Sequence, residues 1–194
     1  MALADYHDLA TPKLKAILAA LQPAQRKSLL TRLGKELEVQ LKRHFLARDQ
    51  DSPNRQGFPR QHFWAREVRA NTALRNVTAD SATVGVASRP FALKITGGTI
   101  RPGPGRKLLS IPLRAKAYGV YPRAGTIPGL FFKKLKGGRM YLAARDGQAL
   151  RVYWRLVPFV VIPADPRALP PPAQLRDALE ARAVKELERI VKQS

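Results

Sequence analysis

Between residues 75 and 164 the chain carries sixteen lysines and arginines and only two carboxylates, Asp80 and Asp146. No globular core can absorb that imbalance, because an unpaired charge withdrawn from water loses more than packing returns. Whatever this stretch forms must keep one side of its elements wet. The flanks are different. Residues 1–48 have a net charge of +5, and residues 49–74 and 165–194 have +1 each, against +14 for the middle and +21 for the whole. A charge of this size, set in one region, points to a surface that meets a polyanion or an acidic protein. With 194 residues, 45% of them apolar, the chain can bury a sizeable core, and one domain with appendages is expected.

Hydrophobic spacing divides the chain. Thr11 before Pro12 reads as a helix start, opening a short helix through about Leu21. Pro23 opens a longer one, in which Leu30, Leu33, Leu37, Leu41 and Phe45 recur at three- and four-residue steps while Lys35, Glu38 and Lys42 fall elsewhere. It should end near Arg48, giving an N-terminal helical segment over residues 1–48. Residues 49–61, with two prolines and a glycine, read as a long polar loop. His62 to Leu74, apolar at Phe63, Trp64 and Val68, reads as a third helix.

The basic core, 49–164 including that loop, then turns to strands. Val77 and Thr78 against Thr83, Val84 and Val86 flank a turn, and the run 108–113 reads as a strand. Residues 130–136, Gly137-Gly138 and 139–145 read as a hairpin with a two-glycine primed turn. Asp146-Gly147 leads into 149–157, where Arg151, Tyr153 and Arg155 alternate with Val152, Trp154 and Leu156. That alternation predicts a three-stranded meander with one basic face and one buried face. Pro163, Pro166 and Pro170 to Pro172 read as a stiff extended linker within the segment 165–194. Beyond it, Ala173 to Lys192 reads as a helix with Leu175, Leu179, Leu187, Ile190 and Val191 near one face. That helix could pack on its own domain or cross to a neighbour. The class is α+β: N-terminal helices, a central antiparallel sheet with hairpins, and a C-terminal helix after a Pro-rich linker.

Catalytic chemistry is scarce. The absence of cysteine excludes disulfides, thiolate zinc sites and cysteine nucleophiles. His44, His62, Asp49 and Asp51 are the only grouping worth weighing as metal ligands, and their spacing matches no metal-site pattern. There is no nucleophile elbow and no phosphate loop, and the acidic cluster that a metal-dependent nuclease needs is missing. The chain is expected to be no enzyme, to hold no cofactor or metal, and to have no membrane partner, since no apolar run approaches the ~20 residues of a spanning helix. Asp5 and Asp8 stand where a secretory leader would be basic, so none is expected.

The binding candidates are basic loops. Arg101, Arg106 and Lys107 bracket the Pro/Gly loop 101–107, and Lys133, Lys134, Lys136 and Arg139 crowd one hairpin tip. Arg151 and Arg155 would form a basic sheet face. Exposed cations of this kind suit phosphate or an acidic groove. The aromatics Phe63, Trp64, Phe131, Phe132, Tyr153 and Trp154 lie in regular elements, where core packing is the default.

The stretches 54–66 (NRQGFPRQHFWAR), 91–119 (FALKITGGTIRPGPGRKLLSIPLRAKAYG) and 131 onward (FFKKLKGGRMYL, then PFVVIPADPRALPP) resemble the phage virion morphogenesis family of tailed phages. The resemblance covers about two thirds of the chain and carries no catalytic signature. It implies a structural virion protein, assembled in the host cytoplasm, that forms a homo-oligomeric ring in the neck or tail top as a tail completion, connector or tail terminator protein. The implied partners are portal or connector and tail-tube or neighbouring neck proteins, with DNA passing through the lumen. The alternative from charge alone is a free basic nucleic-acid-binding protein.

Overall fold

The structure, a computed structural model, describes residues 21–51, residue 58 and residues 61–192. The short helix expected from Thr11, most of the loop 49–61 and the side chain of Val191 lie outside the described residues. The chain forms two compact units. One gathers the described residues up to position 51 with His62–Thr96 and the chain from Ala164. The other gathers Phe58, Gln61 and Gly97–Pro163. The antiparallel sheets and the helices near either end make the class α+β.

Unit one is built on α1 (Pro23–Asp51), whose leucine period buries Leu29, Leu30, Leu33, Leu37, Leu41 and Phe45 along one side. The helix runs three residues past its expected end because Asp49 turns inward instead of opening the loop. Gly34 interrupts the leucines for a steric reason. A Cβ there would stand 2.6 Å from a methyl of Leu74 and 3.2 Å from Ala82, so a β-hairpin can lie directly on the helix. That hairpin is β1 (Thr72–Val77) with β2 (Ala82–Val86), closed by the Thr78 hydroxyl, which accepts hydrogen bonds from the N–H groups of Asp80 and Ser81.

The helix expected from His62 to Leu74 is shorter. A π-helical segment covers Phe63–Arg69 and stops where the side chains of Asn71 and Thr72 donate to the carbonyls of Glu67 and Val68. Those groups take the bonds that would have continued the helix, and β-branched Thr72 goes into the sheet. A second α-helix, α2 (Arg89–Thr96), follows β2. Ser88 caps it by accepting the Phe91 N–H, and Pro90 sits in its first turn.

The proline-rich segment is no extended tether. It bends between Asp165 and Ala168, buries Ala168, and is anchored through the Asp165 N–H to the Lys94 carbonyl at 2.7 Å and through Arg48 to the Asp165 carboxylate at 2.6 Å. It delivers α3 (Pro172–Lys192), which packs Leu175, Leu179 and Ala183 into the same core as α1. Glu186 lies on that stripe at 5% exposure, within ion-pair distance of Arg182 (2.8 Å), Arg189 (3.2 Å) and Arg32 of α1 (3.3 Å). One carboxylate thus holds three guanidiniums together. Glu186→Gln is expected to lower unit-one stability by about 2–4 kcal/mol, because the arginines then face only one another; urea unfolding of both proteins measures the difference.

Unit two holds β3 (Gly98–Ile100) paired with β8 (Val160–Ile162), and a four-stranded antiparallel sheet in the order β4 (Leu109–Pro112), β7 (Ala149–Val157), β6 (Met140–Asp146), β5 (Phe131–Lys134). The meander is present, with β4 added beside β7. Its core is Trp154 with Tyr153, Ala144, Ala117 and Ile127, and Leu130 and Leu142 pack against it. The hairpin between β5 and β6 departs from the expected turn. Gly138 N–H donates to the Leu135 carbonyl and Leu135 N–H to the Arg139 carbonyl, so the loop is Lys136–Gly138. Lys136 keeps a negative φ, and Gly137 and Gly138 supply the positive values (84° and 76°).

The largest departure is in β7. Leu142 pairs with Trp154 but Ala143 pairs with Val152, so Tyr153 is an extra residue in a β-bulge. The bulge turns Tyr153 inward beside Trp154, with ring centroids 6.1 Å apart. It also undoes the expected basic face. Arg151 pairs with Ala144 and Arg155 with Tyr141, and these two partners, three apart on β6, point to opposite sides of the sheet.

Candidate functional site

The candidate catalytic residues come together only in part. Asp49, in the last turn of α1, accepts a hydrogen bond from the His62 ring (Nδ1 to Oδ2, 2.8 Å) and another from the Ala65 N–H at 3.2 Å. His62 itself has a left-handed backbone (φ 52°), unusual for a residue with a side chain. The pair therefore caps the π-helical segment and holds a strained residue in place. His44 lies elsewhere, its Nε2 3.1 Å from the Arg167 carbonyl, and Asp51 is exposed. Among the described residues no group of three or more histidines and carboxylates is placed to hold a metal ion.

The titrating groups of unit one are tied to its joints. Burial pushes the His44 ring below its ordinary value of 6.5. Burial raises the Asp49 carboxyl, but the bonds from His62 and the Ala65 N–H outweigh it and leave Asp49 below its ordinary 3.8. The Lys42 ammonium holds Glu38, which also accepts the Leu74 N–H, below 4.5. A folded-state value below the unfolded one means that the unfolded chain takes up protons first. Stability is then complete above the unfolded values and is lost as pH falls. The loss begins below about 6.5 through His44 and continues below about 4.5 and 3.8 through Glu38 and Asp49. Thermal melts across this range are expected to show both stages, and His44→Gln, which keeps a donor to the Arg167 carbonyl, is expected to remove the upper one.

Unit two gathers the basic candidates by register. Lys134, Met140, Leu156 and Ser110 form one row across the four strands, and Val157 and Leu109 continue it outward. The hairpin tip with Lys136 and Arg139 and the end of loop 101–107, which enters β4 through Lys107, therefore stand at the same end of the sheet. They lie about 14 Å apart, three strand spacings. Lys133 and Lys134 sit one step inward on β5, and Arg155 lies one row further in on β7. Arg106 stacks over Tyr121 (5.7 Å to the ring centroid) and Arg101 over Phe159 (5.6 Å), contacts that orient guanidiniums without neutralising them. Among the described residues, no carboxylate lies within ion-pair distance of Arg101, Arg106, Lys107, Lys133, Lys134, Lys136, Arg139 or Arg155. Arg151 is separate, at the opposite end of the sheet, where it pairs with Asp146 at 2.8 Å.

Apolar side chains run among these cations. Phe131 and Phe132, expected in the core, are 38% and 54% exposed because β5 is an edge strand. Leu135 and Tyr121 are exposed as well. The pattern Phe-Phe-Lys-Lys-Leu shows no alternation of the kind a half-buried strand carries, and that was the available signal. An exposed surface of cations and apolar groups can pair charges and bury area against a partner at once. No helix among the described residues is long and apolar enough to cross a membrane. In comparisons with known protein families, curated proteins and solved structures, the chain matches none.

Proposed function

We infer that the chain is a non-catalytic structural protein of a tailed-phage virion, a ring subunit of the neck or tail top that joins head to tail. It docks on an acidic neighbouring ring through the cationic end of unit two. The virion setting rests on the resemblance of residues 54–66, 91–119 and 131 onward. The docking role rests on one observation: uncompensated cations collected at one end of the sheet beside exposed Phe132, Leu135 and Tyr121. A binder of duplex nucleic acid needs the cations but gains little from the apolar groups, since its affinity comes from phosphate contacts. Rings in this position close by cyclic symmetry through heterologous contacts.

The test is light scattering of the purified chain at low and physiological salt, with and without a random DNA duplex. The same chain is also assayed for joining heads to tails in extracts lacking it. The expected result is no duplex loading at physiological salt. Joining is expected to be lost when Lys133, Lys134, Lys136 and Arg139 are all changed to glutamate in a chain that still folds. Tight duplex loading with a steep salt slope would instead make the surface a nucleic-acid interface.

A further inference from the structure

We propose that the outer edge of β5 is a strand-addition site. It takes, as a fifth strand of the sheet, an extended segment of another protein that sets apolar residues beside acidic ones. The proposal rests on the docking reading above only in taking the partner to be a protein.

The backbone supplies the first argument. Among the described residues β5 pairs only with β6, and its other side is the end of the sheet. The Leu135 N–H bond to the Arg139 carbonyl marks a hydrogen-bonded pair. Bonded pairs alternate along an antiparallel ladder, so Lys133–Tyr141 and Phe131–Ala143 are bonded as well. The N–H and C=O groups of Phe132 and Lys134 therefore point away from the sheet. Alternating donors and acceptors fit another peptide backbone. They do not fit a phosphate chain, which has acceptors alone and would oppose the two carbonyls.

The side chains supply the second. All four residues of β5 are exposed. Lysines on an edge are a common guard against aggregation, but a guard has no use for two exposed phenylalanines. The other edge of the same sheet is treated differently, since β4 ends in Pro112 and is mostly half-buried. Phe131 and Lys133 lie on one face of the sheet and Phe132 and Lys134 on the other. An added strand running antiparallel to β5, as every other pair in the sheet does, would thus meet a cation and then an aromatic on each face, which selects two neighbouring carboxylates followed by two apolar residues.

A second copy of the chain is the wrong occupant. Pairing two β5 strands crowds four lysines onto one seam that has no carboxylate, and about Lys133 or Lys134 it sets a lysine against itself.

The experiment separates backbone from charge at one residue. Lys134→Pro removes an outward N–H and no bond to β6, whereas Lys134→Ala removes the same charge and keeps the N–H. The probe is a fluorescein-labelled peptide with two glutamates followed by two valines at its centre, titrated into the full chain at physiological salt and read by anisotropy. Melts by circular dichroism establish that both variants are folded. The peptide is expected to bind the unaltered chain, and to bind Lys134→Pro about tenfold more weakly than Lys134→Ala. Equal affinity for the two variants would overturn strand addition while leaving charge-led docking standing. Absence of peptide binding by the unaltered chain overturns it too. Displacement of the peptide by duplex with both variants alike would overturn the protein reading altogether.

Discussion

Phe45→Ala is expected to cost unit one about 3–5 kcal/mol, the range for a fully buried aromatic whose cavity cannot collapse. The site leaves little room for collapse. Phe45 stands at the centre of an aromatic cluster, with Trp64 at 6.2 Å and Phe91 at 5.3 Å between ring centroids, and Trp64 and Phe91 themselves 6.1 Å apart. Three different elements supply these rings, and Arg48 covers Trp64 from outside at 5.0 Å. Removing the central ring leaves the other two without a common partner. Each unit contains one of the two tryptophans, so a Trp154→Phe background leaves Trp64 as sole reporter. Its fluorescence midpoint in urea should fall sharply on adding Phe45→Ala, whereas Phe45→Leu should recover a large part of the loss.

Trp154→Ala is expected to cost unit two a similar amount, about 3–5 kcal/mol. Trp154 is buried at the middle of the sheet, paired with Leu142 on one side and with Pro112 on the other. Ala117 and Ile127 pack in the same core, so the indole joins the sheet to the loops crossing it. Without it the sheet retains mainly alanines and half-buried aliphatics to pack on. Amide hydrogen exchange along β6 and β7 would show the effect as accelerated exchange, and Trp154→Phe should fall between the two.

The sequence disclosed the parts governed by a local period. Leu30 to Phe45 specified α1 because each step of three or four returns to one side of a helix, and the Asp146-Gly147 turn announced itself by residue type. The misreadings are places where tertiary context overrode a plausible local pattern. Residues 151–156 alternate without a flaw, and nothing in them shows that Tyr153 is an inserted residue, since a bulge is defined by its partner strand. α2 is too short for its period to stand out. For the candidate site, the cations were legible as composition, but their gathering at one sheet end depends on the register of β4, β7, β6 and β5. Glu186 could have been found, because it falls three residues after Ala183 and seven after Leu179, on the apolar stripe of α3.

The joint between Lys94 and Asp165 gives the chain a modular grammar. Unit one lets the polypeptide go at Thr96 and takes it back at Ala164, and the Asp165 N–H bond to the Lys94 carbonyl holds departure and return side by side. A folded insert with adjoining ends adds little closure entropy to its host. Residues 97–163 therefore sit in the chain as a cassette, and a short bridge could span the doorway if they were lifted out. Sequence change inside the cassette can then alter what is gripped while the host remains the same scaffold. Among the described residues the cassette also gathers Phe58, which stacks on Tyr118 at 5.0 Å, and Gln61, whose amide lies against Gly119.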